Sequence, residues 1–305
     1  MMNIIFGPVN SRRFGKSLGI DLSPTKKQCN FDCLYCELEP APTVDAYEEV
    51  LSVDQIMEAL KEGLLQYPDI DVLTITANGE PTLYPELPQL MERINAIKGS
   101  IKTLILSNGS TIDQSHVQEA LMAFDTVKLS LDCATPRCLK RLDRAHKGVE
   151  IERIKQGMLR FRSKFKKALI IEILLVKGIN DHPDEIQALN DYLLSLQPTR
   201  IDMGTIDRPP AYPVAPLSYE ALHEIALQFD SSLPIYIASR DKVVSSPSFY
   251  SEEAIMHTLK KRPLTTEDIE VLFDQKSQER FKQLLDRGVI KVVNSSGYDF
   301  FVYNG

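Results

Sequence analysis

The residues of this chain best suited to chemistry are Cys29, Cys33 and Cys36, three thiols within eight positions. Their C-x3-C-x2-C spacing follows a strand-like run, Ser17 to Ser23, so a single loop can wrap three thiolates around one face of an iron–sulfur cube. A [4Fe–4S] cluster is normally held by four cysteines. Three leave one iron open to an exchangeable ligand, which chemistry at a cluster requires. Zinc fits less well, because structural zinc sites close with four ligands, usually as two pairs, and the chain has no second C-x2-C or H-x3-H pair. A disulfide framework fits poorly too. The opening MMNIIFGPVNSRRF puts its charges after a short apolar run, the reverse of a secretion signal.

The elements that must carry this loop alternate in type along the chain. Apolar, strand-like runs cover 71–77, 102–107, 126–131, 169–176 and 200–205, in addition to the run before the cysteines. Helical periodicity covers 53–67, a stretch after Pro85, about 113–123, 151–166 and 183–195, with Ser52 as an N-cap for the first. Six short, mostly apolar strands separated by helices predict parallel strands buried on both faces. Polar or glycine-containing clusters sit at the strand C-termini, where α/β barrels place their active sites. Gly15-Lys16-Ser17 looks like the end of a P-loop, but Asn10 stands where its first glycine belongs and a strand follows instead of a helix. Triphosphate binding is therefore rejected, and Arg12 and Arg13 are expected at a basic rim.

The cysteine motif, with an aromatic Tyr35 before its third member, closely resembles that of the radical SAM superfamily. The resemblance implies an α/β partial (β/α)6 TIM-like barrel over residues 1–240. It also implies a [4Fe–4S] cluster on Cys29, Cys33 and Cys36, and S-adenosylmethionine on the open iron. Reductive cleavage would then give a 5′-deoxyadenosyl radical that abstracts hydrogen from a substrate, with flavodoxin or ferredoxin as electron donor. Tyr35 would pack beside the adenine. Asn78-Gly79-Glu80-Pro81 matches the family's Gly-Gly-Glu-Pro turn, which binds the methionine amino group, with Asn78 in place of the first glycine. Ser107 and Asn108, then Ser130 and Asp132, stand where the family contacts ribose and carboxylate. Arg144, with Arg141 as competitor, is the candidate for the carboxylate. Val176 to Gly178 would lie beside the adenine. The combination GPVNSRRFGKSLGID, CNFDCLYC, NGEPTL, SNGS, LSLD, LLVKGIND and DRPP resembles the branch that contains wyosine-type tRNA-modifying enzymes, although no cysteine precedes Cys29 as it does in the wyosine synthases.

Cys133 and Cys138 are too few for a second cluster. They are expected as small buried hydrophobes, with Cys138 as a candidate hydrogen-atom relay. Arg208, in the Asp207-Arg208-Pro209-Pro210 loop after the last barrel strand, is a candidate substrate contact. From about residue 245, three short helices and a hairpin around Ser-Ser-Gly resemble a winged helix. That segment holds eight basic and nine acidic residues from Ser251 onward, too balanced to mark a DNA-binding surface by charge. The whole chain, 305 residues with net charge −7 and 43% hydrophobic residues, is expected to form a large domain and a small one in the cytoplasm. No membrane association is expected, and tRNA or another nucleic acid is a candidate partner. Two other functions stay open: radical chemistry on a small metabolite or protein, and an iron–sulfur redox sensor whose winged helix reads nucleic acid.

Overall fold

The computed structural model describes residues 4–11, 14–237, 247, 249–261, 263–295 and 298–304. The expected basic rim at Arg12 and Arg13, the domain boundary at 240–245 and the hairpin tip at 296–297 lie outside these residues.

β1 (Ile5–Ser11) and β2 (Gly15–Asp21) open the fold as an antiparallel pair. Their register shifts between Phe6 and Val9, around Pro8, which has no N–H to give to a ladder. β3 (Val72–Thr76), β4 (Lys102–Ser107), β5 (Thr126–Ser130), β6 (Ala168–Leu175), β7 (Arg200–Thr205) and β8 (Ile235–Ile237) follow in chain order, each parallel to its neighbour. Between them run α1 (Val53–Gln66), α2 (Leu87–Ile97), α3 (Ser115–Leu121), α4 (Pro136–Cys138), α5 (Ile151–Lys164), α6 (Pro183–Leu196) and α7 (Tyr219–Ala226). α4 continues directly into a π-helical turn over Leu139–Asp143. Ser52 begins α1 with a reciprocal capping box to Gln55, and Val53, Ile56, Met57 and Leu60 turn inward at helical spacing. Six strands and five helices coincide with the sequence expectation. β1, β8 and α7 lie outside that expectation; β1 and β8 are the two edge strands of the sheet, each paired on one side only.

The two faces of the sheet differ. Toward the helices point Leu18, Ile20, Leu73, Ile75, Ile105, Val127, Leu129, Ile171, Ile173, Ile201 and Met203, all buried. This layer is the main hydrophobic core. The inner face carries Ser17, Thr74, Lys128, Glu172, Arg200 and Asp202. Ser17 Oγ lies 2.7 Å from Thr74 Oγ1, and Lys128 Nζ lies 2.5 Å from Glu172 and 3.3 Å from Asp202. Arg200 completes the group at 2.9 Å from Asp202. Leu106 on the same face is exposed, and a Cβ added at Gly204 would meet nothing within 4 Å. Parallel strands buried on both faces were expected, and Ser17, Thr74, Lys128 and Asp202 are buried too; the inner face differs in being polar, its charges held in pairs.

A second, separate core contains Tyr250, Ile255, Leu259, Leu264, Phe273, Phe281, Leu284, Ile290 and Phe300. It is built from α8 (Glu252–Lys261), α9 (Thr266–Leu272), α10 (Gln275–Asp286) and the antiparallel pair β9 (Ile290–Ser295) and β10 (Tyr298–Tyr303). Leu264 forms an isolated bridge with Phe301. The Tyr250 hydroxyl donates to the Pro8 carbonyl, fastening this unit beside β1.

Candidate cofactor and active site

The loop after β2 is held by backbone from three directions. Gln28 N donates to Asn78 O at 2.8 Å, and Glu80 N donates to Gln28 O at 3.0 Å, locking it to the turn after β3. Asp32 N and Leu34 N donate to Asp143 O and Leu142 O at 3.0 and 2.9 Å in the π-turn, and His146 N donates to Asn30 O at 2.8 Å. Ala211 N donates to Cys36 O at 2.8 Å from the loop after β7. Gly79 makes this closure possible. Its φ is +137°, and a Cβ there would lie 1.9 Å from Gln28 O.

Cys29, Cys33 and Cys36 are free and half-buried on this loop. Phe31 N and Asn108 Nδ2 reach the Cys29 sulfur at 3.4 and 3.7 Å, while Cys33 Sγ donates to Asp143 Oδ1 at 3.4 Å. Burial pushes the Cys29 thiol up to about 12, and burial with Asp143 pushes Cys33 well up. Both therefore become thiolates on binding a metal. Among the described residues, the one group of three such donors lying within 4.8 Å of one another is Cys133, Cys138 and Glu185, so the cysteine trio is more widely spread. A single tetrahedral zinc would draw its sulfurs to about 3.8 Å. Three free, spread thiols with N–H groups aimed at one sulfur fit a cluster.

The other predicted residues fall into groups. Asp132 is buried. It accepts from the Tyr35 hydroxyl and, at 2.6 Å, from Leu174 N. Burial outweighs these bonds and raises its carboxyl to about 7. Tyr35 is thereby tied to Asp132, and burial raises its own pKa well above the ordinary phenol range. Ser130 and Asp132 border a small gap with Phe31, Asn108, Leu139 and Asp143. Through Phe31 this gap adjoins the cysteine loop.

Glu80, expected beside an ammonium group, anchors its own turn. It accepts from Thr82 N at 3.0 Å, Thr82 Oγ1 at 2.6 Å, and Ser107 Oγ and Asn108 N at 2.7 Å. Glu80, Ser107 and Asn108 thus tie the turn after β3 to the turn after β4. Asn108 Nδ2 carries the tie on to Asn30 at 2.9 Å in the cysteine loop. Asn78 N donates to Asp21 at 3.0 Å. Val176 is buried and donates to Asn180 at 2.7 Å, whereas Gly178 is exposed at φ +72°.

Arg144 is exposed, 3.4 Å from Asp32 and stacked 4.7 Å above the Tyr212 ring. Arg208 pairs with Glu37 of the cysteine loop at 2.9 Å, so it braces the mouth from one side. Cys138 requires correction. It is joined to Cys133 in a buried disulfide, and a hydrogen-atom relay needs a free thiol facing the substrate. Sequence reasoning missed Asp143, Asp32 and Tyr212. The Tyr212 hydroxyl donates to Asp32 at 2.6 Å, and no local pattern marks either partner.

Comparison with known proteins agrees with this geometry. The family model described as the radical SAM superfamily matches residues 24–189. A UPF0026 protein of Helicobacter pylori is 39% identical over 303 residues, covering 98% of this chain and 97% of that one. A UPF0026 protein of Methanocaldococcus jannaschii is 28% identical over 319 residues, covering 99% and 97%. A radical SAM methyltransferase from Sphaerobacter thermophilus shares the fold with a TM-score of 0.56 and 16% identity, over 73% of this chain and 66% of that one.

Proposed function

The chain belongs to the radical SAM superfamily, and from that premise we propose that it modifies a tRNA or a similar nucleic acid. It is an enzyme of that superfamily, with a [4Fe–4S] cluster and S-adenosylmethionine as cofactors. Bound together, these groups supply one-electron cleavage of a carbon–sulfur bond followed by hydrogen-atom abstraction.

The protein's contribution is positional. Cys29, Cys33 and Cys36 would hold the cluster, and the Gln28–Asn78–Glu80 backbone contacts fix where their loop sits. Asp132 is a ribose acceptor whose raised pKa leaves it partly protonated near neutrality, and the Tyr35 hydroxyl fixes its orientation. On the inner face Leu106 is exposed and Gly204 leaves open space, room a substrate could use.

The order of elements in the second unit carries the nucleic-acid reading. α8, the Leu264–Phe301 bridge, α9, α10 and the β9–β10 pair follow one another as in a winged helix, and the unit is fastened beside β1. Anaerobic reconstitution, dithionite reduction and assay of 5′-deoxyadenosine with and without bulk tRNA test it. Product formation stimulated by tRNA is expected; product unaffected by tRNA, with no tRNA binding, overturns it. The balance of eight basic against nine acidic residues from Ser251 onward favours a second reading, a protein or small-metabolite substrate.

A further inference from the structure

The inner face of the sheet carries an ion network with one end in the open. Lys128 of β5 lies 2.5 Å from Glu172 of β6 and 3.3 Å from Asp202 of β7, and Arg200 lies 2.9 Å from Asp202. The Lys128 and Asp202 side chains are 8% and 1% exposed, whereas that of Glu172 is 41% exposed. Glu172 is therefore the member of this group that a molecule inside the barrel would meet, and Lys128 fixes its orientation.

The strand register sets this carboxylate beside the predicted cofactor residues. Glu172 pairs with Ser130, its carbonyl accepts from Leu131 N at 2.8 Å, and Leu174 N donates to Asp132 at 2.6 Å. Opposite Leu174 stands Gly204, where an added Cβ would meet nothing within 4 Å. Opposite Lys128 stands Leu106, 37% exposed. An oriented acceptor, an apolar side chain and open space thus share one face, next to the edge formed by Ser130 and Asp132.

Charge decides what fits there. Among the described residues, Lys128 and Arg200 balance Glu172 and Asp202 within the network. A further ammonium or guanidinium would bring in a charge that the network does not compensate. A neutral N–H donor brings none, and a carboxylate can only accept. A flat ring bearing an amino group meets both conditions, with its face toward Leu106 and its N–H on Glu172. On the strength of the nucleic-acid reading above, on which this inference rests, we propose that Glu172 selects the target base by receiving its exocyclic amino group. Cytosine, adenine and guanine carry that group. Uracil turns a carbonyl oxygen to the carboxylate where cytosine turns its amino group, and is rejected.

Two labelled heptanucleotides test this, abasic except for a central cytosine in one and a central uracil in the other. Each is titrated with the unloaded protein and read by fluorescence anisotropy. Wild type should bind the cytosine probe about 10-fold more tightly, the effect of one hydrogen bond to a charged group. In Glu172→Gln the amide oxygen keeps the bond from Lys128 and the amide nitrogen turns outward, so the preference should vanish or invert. A variant that keeps the wild-type ratio, or a wild type that binds both probes within about twofold, overturns the proposal. If the variant does not fold, a third probe on wild type replaces it, with the cytosine dimethylated on its amino nitrogen. That base has no N–H to donate and should bind no better than uracil; undiminished binding overturns the proposal. Wild type that binds neither the probes nor bulk tRNA removes the nucleic-acid reading, and the proposal with it. Bulk tRNA bound with neither probe held, or with no preference between them, removes the proposal alone.

Discussion

The five cysteines occupy two environments. Cys29, Cys33 and Cys36 lie on a loop held by backbone hydrogen bonds from the turns after β3, β5 and β7, and all three are free. Cys133 and Cys138 are buried and bonded to each other, with the Glu185 carboxylate beside them satisfied by Thr135 N at 3.1 Å and the Thr135 hydroxyl at 2.5 Å. The thiols are chemically identical, so their surroundings set the difference. One loop presents three sulfurs toward a common space, whereas the other segment turns two of them on each other within a core. Asp132 joins the two regions: its carboxylate holds Tyr35 of the first, and Cys133 of the second follows it in the chain.

The contrast breaks most severely at the first set. Cys33→Ala should lose bound iron and reduce 5′-deoxyadenosine formation to background, whereas Cys133→Ser should keep both; equal iron in the two variants, by colorimetric assay, would remove the distinction. Gly79→Ala comes next. With Gln28 O only 1.9 Å from the new methyl and φ at +137°, the loop must shift. A loss of at least about 3 kcal/mol in denaturant unfolding is expected, together with poor cluster incorporation. Normal iron content in that variant would show that the Gln28–Gly79 approach does not position the cysteines.

Reducing the Cys133–Cys138 bond has a smaller effect. The short loop it closes corresponds to about 2 kcal/mol of stabilisation, so dithiothreitol should lower the unfolding midpoint while iron content and cofactor cleavage persist. Loss of cleavage on mild reduction would place this pair in the catalytic apparatus after all.

The smallest effect sharpens the role of the residue between the two sets. Burial raises Asp132 to about 7, against about 3.9 in an unfolded chain. Between those values the folded protein keeps a proton that the unfolded chain has released. The stability of the unloaded protein must then fall as pH rises from about 4 to about 7. Asp132→Asn should make that fall shallower, as read from unfolding curves across the window. Asp143, raised in the same direction by its own burial and by Asp132, leaves a residual slope.

What the sequence determined is what neighbouring residues decide among themselves. Three cysteines in eight positions imply one loop and one open iron, because ligand spacing is a local property. Strands and helices of the barrel appear as runs and periodicities, and Ser52 with Gln55 caps α1 within four residues. Glu80 was visible as part of a motif, whereas its partners Ser107 and Asn108 became visible only in the fold. Tertiary structure alone decided the partners. Asp143 meets Cys33 across 110 positions, Tyr212 meets Asp32 across 180, and Arg208 meets Glu37 across 171. The same holds for the polar inner face, whose strands look apolar until the register alternates their side chains between the helices and the interior. Side chains brought together by sheet closure leave no periodicity behind, since each contact is set by how the whole sheet twists and curves, not by its neighbours in the chain.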